Sequence, residues 1–163
     1  MDILVLFPDE SDVAGFESVA GARFHYVEAG VSHWRPTPEF DPVAYLERCR
    51  EVAARERVQA VLSTHDLGDL AAAILAAELG LPGPSPEAVF LCLHKHYGRL
   101  REARPVASEV LHLADGDRGP ASADYPRFLK APWLKLGLLG YQVDGPDDLA
   151  RALALARREL PVW

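Results

Sequence analysis

The chain has 163 residues, of which 49% are hydrophobic, and this predicts either one ordinary globular domain or one domain with a small additional unit. The net charge is −7 and no block of lysine or arginine stands out, which argues against a nucleic-acid partner. No apolar segment is long enough to span a membrane and the apolar start lacks a basic leader, so we expect no membrane partner and a cytoplasmic location. Cys49 and Cys92 are far apart in the sequence and are interpreted as small apolar residues in a reducing compartment.

Short apolar segments alternate with helical patterns in the first hundred residues. Strands are predicted over residues 3–7, 23–27 and 58–62. Helices are predicted over residues 12–20, 42–57, 67–79 and 86–103, the third of them ending at Gly80. The alternation of strands with helices implies right-handed crossovers and a parallel sheet, so residues 1–103 are predicted to form a three-layer, Rossmann-like α/β domain.

The pattern changes after residue 104. Strands are predicted over residues 106–113, 128–130 and 138–143, with a polar loop over 115–124. A helix is then predicted with Asp147 and Asp148 in its first turn and Arg157 and Arg158 in its last turn, an arrangement that complements the helix dipole. Residues 104–163 are therefore predicted to form a small α+β subdomain.

Two lysines and an arginine are candidates for binding an anion. Lys95 and Arg99 are four residues apart in a predicted helix and share a face, which is either a solvated basic surface or part of a phosphate site. Lys130 ends an apolar strand pattern. It either extends to solvent or presents a point charge to a phosphate lying over the sheet.

A polar tripeptide, Thr64, His65 and Asp66, follows the third predicted strand. It is expected at the carboxyl edge of the sheet, where α/β proteins bind ligands, so these residues could orient a substrate. The alternative is that Asp66 or Thr64 caps the helix that follows. His94 and His96 point to different sides of a helix and make a poor metal chelate. The sequence contains no Gly-x-Ser-x-Gly, P-loop or Cys-x-x-Cys motif.

Several segments, taken in order, resemble the front half of ATP-grasp proteins, in particular those grouped with the biotin carboxylases and carboxylate–amine ligases. They are GLPGPSPEAV at 80–89, the pair His94-Lys95 with a following Arg99, YPRFLKAP at 125–132, LGYQV at 139–143 and PDDLARAL at 146–153. The resemblance implies a pre-ATP-grasp domain over residues 1–103 and part of the ATP-grasp lid over 104–163.

The resemblance also implies roles for the cationic residues. Lys95 matches the helix lysine that reaches nucleotide phosphate, and Arg99 follows it. Lys130 matches the lid-strand lysine that contacts phosphate and adenine. Residues 132–140 occupy the place of the Gly-rich lid loop but contain only two glycines, and Lys135 could supply charge there. These four side chains are the expected nucleotide-binding set.

The activity implied by the resemblance is ATP-dependent ligation of a carboxylate through an acyl phosphate, with ATP and Mg²⁺ as cofactors. In the family the magnesium ligands follow the lid, so we expect no metal ligands in this chain and little activity from it alone. The expected partners are a nucleotide and a small carboxylate substrate, and either a homodimer or a missing carboxyl-terminal ATP-grasp domain.

Two further interpretations stay open. The chain could be a non-catalytic, Rossmann-like binding or assembly module that uses an exposed sheet edge or the loop around Trp34. It could also be a flavodoxin-like or receiver-type domain. Asp9 and Glu10 would then supply the acidic cluster, but Asp66 lies in a helix-cap context.

Overall fold

The computed structural model describes residues 1–30, 40–113, 124–133 and 137–160. Two residues singled out in the sequence, Trp34 and Lys135, lie outside these ranges. The chain divides into two compact units, Met1–Phe90 and Leu91–Trp163. The assignment of family domains to 1–103 and 104–163 stays a prediction.

The first unit is built on a parallel sheet of three strands, β1 (Asp2–Leu6), β2 (Arg23–Val27) and β3 (Ala60–Ser63). The strand order is β2-β1-β3, with Leu6 opposite both Val27 and Ser63 in the ladders. The central strand comes from the continuous apolar run at the start of the chain, because a strand covered on both faces needs apolar residues at every position. The predicted α/β class with a parallel sheet is confirmed.

Three helices accompany these strands: α1 (Glu10–Phe16), α2 (Pro42–Glu56) and α3 (Asp66–Glu78). The next helix, α4 (Pro86–Leu93), contains the boundary between the two units. Asp41 caps α2 by accepting hydrogen bonds from two backbone amides, and the hydroxyl of Ser85 accepts one from Ala88 in α4. Gly80 follows the end of α3 with a φ of 65°, a left-handed conformation that favours glycine. The predicted stop at this residue is confirmed.

One side of α2 forms much of the first core. Tyr45, Cys49 and Ala53 are four residues apart and all buried, so they form one stripe along the helix. They pack with the buried strand residues Leu4 and Leu6. The buried position of Cys49 agrees with its interpretation as a small apolar residue, whereas Cys92 is exposed.

The second unit contains α5 (Lys95–Arg99), β4 (Arg127–Leu129), β5 (Tyr141–Val143) and α6 (Pro146–Glu159). The two strands pair antiparallel, and Val143 packs with Leu149, Ala152 and Leu153 of α6 in a second core. The predicted helix with acidic first-turn and basic last-turn side chains is α6.

Two sequence predictions are wrong in this unit. The helix predicted over 86–103 is interrupted at His94, which has an extended backbone, and becomes α4 and α5. No strand forms over 106–113, although these residues are described. Val106 and Val110 are exposed, and only Leu111 and Leu113 pack against the core. Alternating apolar residues form a strand only when a partner strand completes the hydrogen bonds, and this segment has none among the described residues.

Candidate anion site

The interruption between α4 and α5 sets the position of Lys95. Its backbone amide donates to the carbonyl of Pro132 at 3.1 Å, and its Nζ lies 3.4 Å from the same oxygen. Pro132 follows β4 in the chain, so the start of α5 is attached to the segment after that strand. In addition, Gly98 lies so close to α4 that a Cβ there would come within 2.3 Å of the carbonyl oxygen of Leu91.

The ring of His94 occupies the interruption. It is 9% exposed, and its Nδ1 accepts a hydrogen bond from the amide of Tyr97 at 3.3 Å, so it serves as the N-cap of α5. The ring also contacts Tyr97 and Trp133, with centroid distances of 4.6 and 4.8 Å. Burial, followed by the charges of His96 and Lys95, lowers the pKa of His94. Both effects favour the neutral ring that the cap requires.

Lys95 lies within a cluster of positive charge. Burial lowers the pKa of Lys95, and the charges of Lys130 and Arg99 lower it further. All three residues belong to the second unit, so the structure brings together the two lysines that the sequence analysis paired. Each of these positive charges disfavours the charged form of its neighbour, and a bound anion would favour it.

Lys130 is the most accessible of the three cations. It directly follows β4, and its Nζ lies 4.9 Å from the centroid of the Phe128 ring. Phe128 itself is 59% exposed, so a cation and an aromatic face are presented to solvent side by side. Neither Lys130 nor Arg99 forms an ion pair with a carboxylate among the described residues.

Lysine is rare in this chain. Three of its 17 basic residues are lysines, and they are Lys95, Lys130 and Lys135, all singled out above as candidate phosphate contacts. Arginine carries the structural ion pairs elsewhere, such as the two-bond contact of Arg50 with Glu78 at 2.8 Å for each bond. A lysine ammonium is a compact point charge whose pKa shifts readily on burial, whereas an arginine stays charged. The two residue types are therefore used differently here.

The residues that follow β3 at the carboxyl edge of the parallel sheet form hydrogen bonds within the first unit. The cap of α3 is His65, whose Nδ1 accepts from the amide of Leu67 at 3.2 Å, so the expectation that Asp66 or Thr64 caps this helix is wrong. The hydroxyl of Thr64 donates to the carboxylate of Asp12. A role of Thr64, His65 and Asp66 in orienting a substrate stays a prediction.

The described residues contain no group of three or more histidine, cysteine, aspartate or glutamate side chains placed to hold a metal ion. The cation cluster is positively charged, so it suits an anion and does not fit a divalent metal ion. No helix in the described ranges is long and apolar enough to cross a membrane.

Sequence reasoning missed the two groups that hold Lys95 in position. His94 was considered only as a metal ligand, and the carbonyl of Pro132 was not considered at all. A histidine directly before the first residue of a short helix is a weak signal for an N-cap, since Asn, Asp, Ser and Thr are the usual caps. The Pro132 contact joins residues 37 apart, which local spacing does not predict.

The fold of this chain is similar to that of a solved ligase structure. Among solved structures, the chain is similar to L-amino acid ligase from Bacillus licheniformis, with a TM-score of 0.64 and 17% sequence identity. The likeness covers 96% of this chain and 42% of the ligase chain, so this chain spans less than half the length of that protein. No protein-family model and no curated protein matches the sequence.

Proposed function

We propose that this chain supplies the first phosphate-binding residues of an ATP-dependent ligase that joins a carboxylate to an amine through an acyl phosphate. Lys95, Lys130 and Arg99 bind the phosphates of the nucleotide, and Lys135 adds a fourth positive charge. ATP provides the phosphoryl group that activates the carboxylate. The residues of this chain bind and orient that group.

The observation that carries the proposal is that burial and the charges of Lys130 and Arg99 all lower the pKa of Lys95, which groups three cationic side chains in the second unit. A phosphate bound by these side chains would form charge-assisted hydrogen bonds, which are about twice as strong as neutral ones.

The fold supports the same proposal from a second direction. The similar structure is an L-amino acid ligase, a protein whose name describes joining amino acids. At 17% identity this likeness concerns the fold, so the substrates of the present chain are a proposal. An amino acid would fit the expected small carboxylate substrate.

Isothermal titration calorimetry with ATP, in the presence and absence of Mg²⁺, tests the nucleotide site. We expect micromolar affinity that is lost in Lys130→Ala. Arg104→Gln is the matched control, because Arg104 is an exposed cation whose charge does not act on Lys95. If the wild-type chain shows no detectable binding, or if the two variants weaken it equally, the phosphate site is refuted and the non-catalytic module is favoured.

The pH dependence of binding is a second test. An anion beside Lys95 favours its charged form and raises its pKa, so binding takes up protons. The affinity for ATP should therefore weaken as the pH rises, and this weakening should begin below pH 10.5, the ordinary pKa of lysine. An affinity that stays constant until that value would contradict a direct contact with Lys95.

A further inference from the structure

The ring of Phe128 is exposed to solvent and lies beside one of the cations of the proposed phosphate site. The side chain is 59% exposed, and the Nζ of Lys130 lies over its ring, 4.9 Å from the centroid. The two residues are two apart in the sequence, so both side chains are on the same side of the strand that ends at Leu129. A single exposed apolar side chain is common on protein surfaces, but this one shares its position with a positive charge.

The neighbouring strand leaves space for this ring. Phe128 pairs with Gln142 of β5, and Gly140 directly precedes that strand. A Cβ at Gly140 would come within 3.2 Å of a ring carbon of Phe128, so the ring lies against the backbone at this glycine. Lys130 forms no ion pair or hydrogen bond with the residues that the structure describes, and the ring is therefore the group that holds its ammonium.

We propose that Phe128 is a specificity-determining residue that selects nucleotides over inorganic polyphosphates through an exchange at its ring. In the empty site the ring holds the ammonium of Lys130. When a nucleotide binds, the ammonium moves to a phosphate and the base stacks on the ring. This inference rests on the phosphate-binding role of Lys130 in the proposed function, and it adds a role for a residue that carries no charge.

The exchange follows from the strengths of the three contacts. An ammonium over an exposed ring contributes a factor of about two to five to an equilibrium constant. A phosphate oxygen attracts the ammonium more strongly, because it forms a charge-assisted hydrogen bond. An inorganic polyphosphate therefore displaces Lys130 from the ring and leaves the ring bare. A nucleotide covers the ring again with its base, and stacking of one base on an aromatic side chain contributes a factor of about five or more.

Isothermal titration calorimetry with ATP and with inorganic tripolyphosphate, at one saturating concentration of Mg²⁺, tests the exchange. Phe128→Leu keeps an apolar side chain but removes the ring. It should bind tripolyphosphate about two- to fivefold more tightly than wild type does. The ratio of the affinity for ATP to the affinity for tripolyphosphate should fall about fivefold or more.

Two variants control for other effects of the substitution. Phe128→Tyr retains an aromatic ring and should preserve the wild-type ratio. Val106→Ala removes apolar surface from another side chain of the second unit, which is 62% exposed, and it should change neither affinity. A wild-type ratio in Phe128→Leu, or an equal fall of the ratio in Val106→Ala, would refute the inference.

Nuclear magnetic resonance follows the ammonium directly in the wild-type chain. The chain has only three lysines, Lys95, Lys130 and Lys135, so ¹³C-labelled lysine gives a simple spectrum in which Lys130→Arg assigns one set of signals. An aromatic ring displaces the resonances of nuclei above its face. The side-chain signals of Lys130 should therefore be displaced in the free chain and return towards ordinary lysine values in saturating tripolyphosphate. Signals that stay displaced, or that are never displaced, would contradict the exchange even if Phe128→Leu is unfolded.

Failure of this inference can be distinguished from failure of the proposed function. If both ligands bind and Lys130→Ala weakens both, but Phe128→Leu keeps the wild-type ratio, the exchange at the ring is refuted and the phosphate site stands. If tripolyphosphate does not bind to the wild-type chain, both proposals are refuted, because the cations would then not hold a ligand through its phosphates.

Discussion

Gly68 is the residue at which a single methyl group should be most costly in the first unit. It lies in the first turn of α3, where the helix meets the ends of β1 and β3. A Cβ at this position would come within 2.3 Å of the Oγ of Ser63 and 2.7 Å of a ring carbon of Phe7, and 3.0 Å from the Cβ of Ser63. Real Cβ atoms do not approach other atoms this closely, so these side chains or the helix would have to shift.

The neighbours of Gly68 cannot easily make room. The hydroxyl of Ser63 lies 3.0 Å from the carbonyl oxygen of Leu6 and 2.9 Å from that of His65, so it links the strand to the helix cap. Overpacking a core costs about 1–3 kcal/mol, and loss of a buried hydrogen bond about 1 kcal/mol. Replacing a glycine within a helix by alanine raises the free energy of unfolding by up to about 1 kcal/mol when there is space for the methyl group. We therefore expect Gly68→Ala to lower the free energy of unfolding by about 2 kcal/mol.

Urea unfolding followed by far-ultraviolet circular dichroism measures this loss, and hydrogen exchange at the amides of α3 assigns it to the first unit. Gly15→Ala is the matched control. This glycine lies in α1 with nothing within 4 Å of a Cβ, so the substitution should be neutral or stabilise by up to about 1 kcal/mol.

The variant Ser63→Gly tests the mechanism, because it removes both Ser63 atoms from the clash. The cost of Gly68→Ala should fall by about 1 kcal/mol or more in that background. Equal stability of Gly68→Ala and wild type, or an unchanged cost in the Ser63→Gly background, would refute the reasoning.

Two further predictions concern a buried hydroxyl and a helix cap. The hydroxyl of Tyr45 donates to the carbonyl of Val27 at 2.7 Å and accepts from the amide of Phe7 at 3.0 Å, so Tyr45→Phe should cost about 1–3 kcal/mol in urea unfolding. A cost below about 0.5 kcal/mol would contradict this. His94→Ala should cost about 1 kcal/mol through the lost cap at Tyr97, and His94→Asn less. The pKa of His94 is lowered in the folded chain, so its contribution to the free energy of unfolding is complete above the ordinary pKa of 6.5 and is lost as the pH falls through the lower folded pKa. Between about pH 8 and about pH 5, wild type should therefore lose this contribution, whereas His94→Asn should not. The same pH profile in His94→Asn would exclude His94 as its source.

The first unit was predictable because its signals are local. The run at the start of the chain is apolar at every position, and a strand that is central in a parallel sheet requires this. The strand Arg23–Val27 was predicted with the observed bounds. Gly80 ends α3 through its left-handed conformation, and Ser85 begins α4 through a hydrogen bond from the amide of Ala88. Both signals involve neighbouring residues, so the sequence is sufficient to predict these two helix ends.

The errors lie where contacts distant in the sequence decide the structure. The apolar spacing from 86 to 103 is continuous and favours a single helix. The structure interrupts it because the amide of Lys95 donates to the carbonyl of Pro132 instead of continuing the bonds of α4. Residues 106–113 alternate like a strand but have no partner strand among the described residues. In both cases the local pattern is real, and a more distant group determines the outcome.

The same interruption explains why the arrangement of the three cationic residues could not be predicted, while their role in binding an anion stays a prediction. In an unbroken helix, Lys95 and Arg99 would share a face, but the spacing of residues along that helix would not predict that Lys130 lies near them. The hydrogen bonds between Lys95 and Pro132 attach α5 to the segment that follows β4, and this brings Lys130 close enough to act on the pKa of Lys95. His94 maintains the interruption by capping α5, so the charge cluster depends on a neutral ring that carries no charge of its own. A change at His94 should therefore weaken the proposed phosphate binding by displacing Lys95, even though the three cations are all retained.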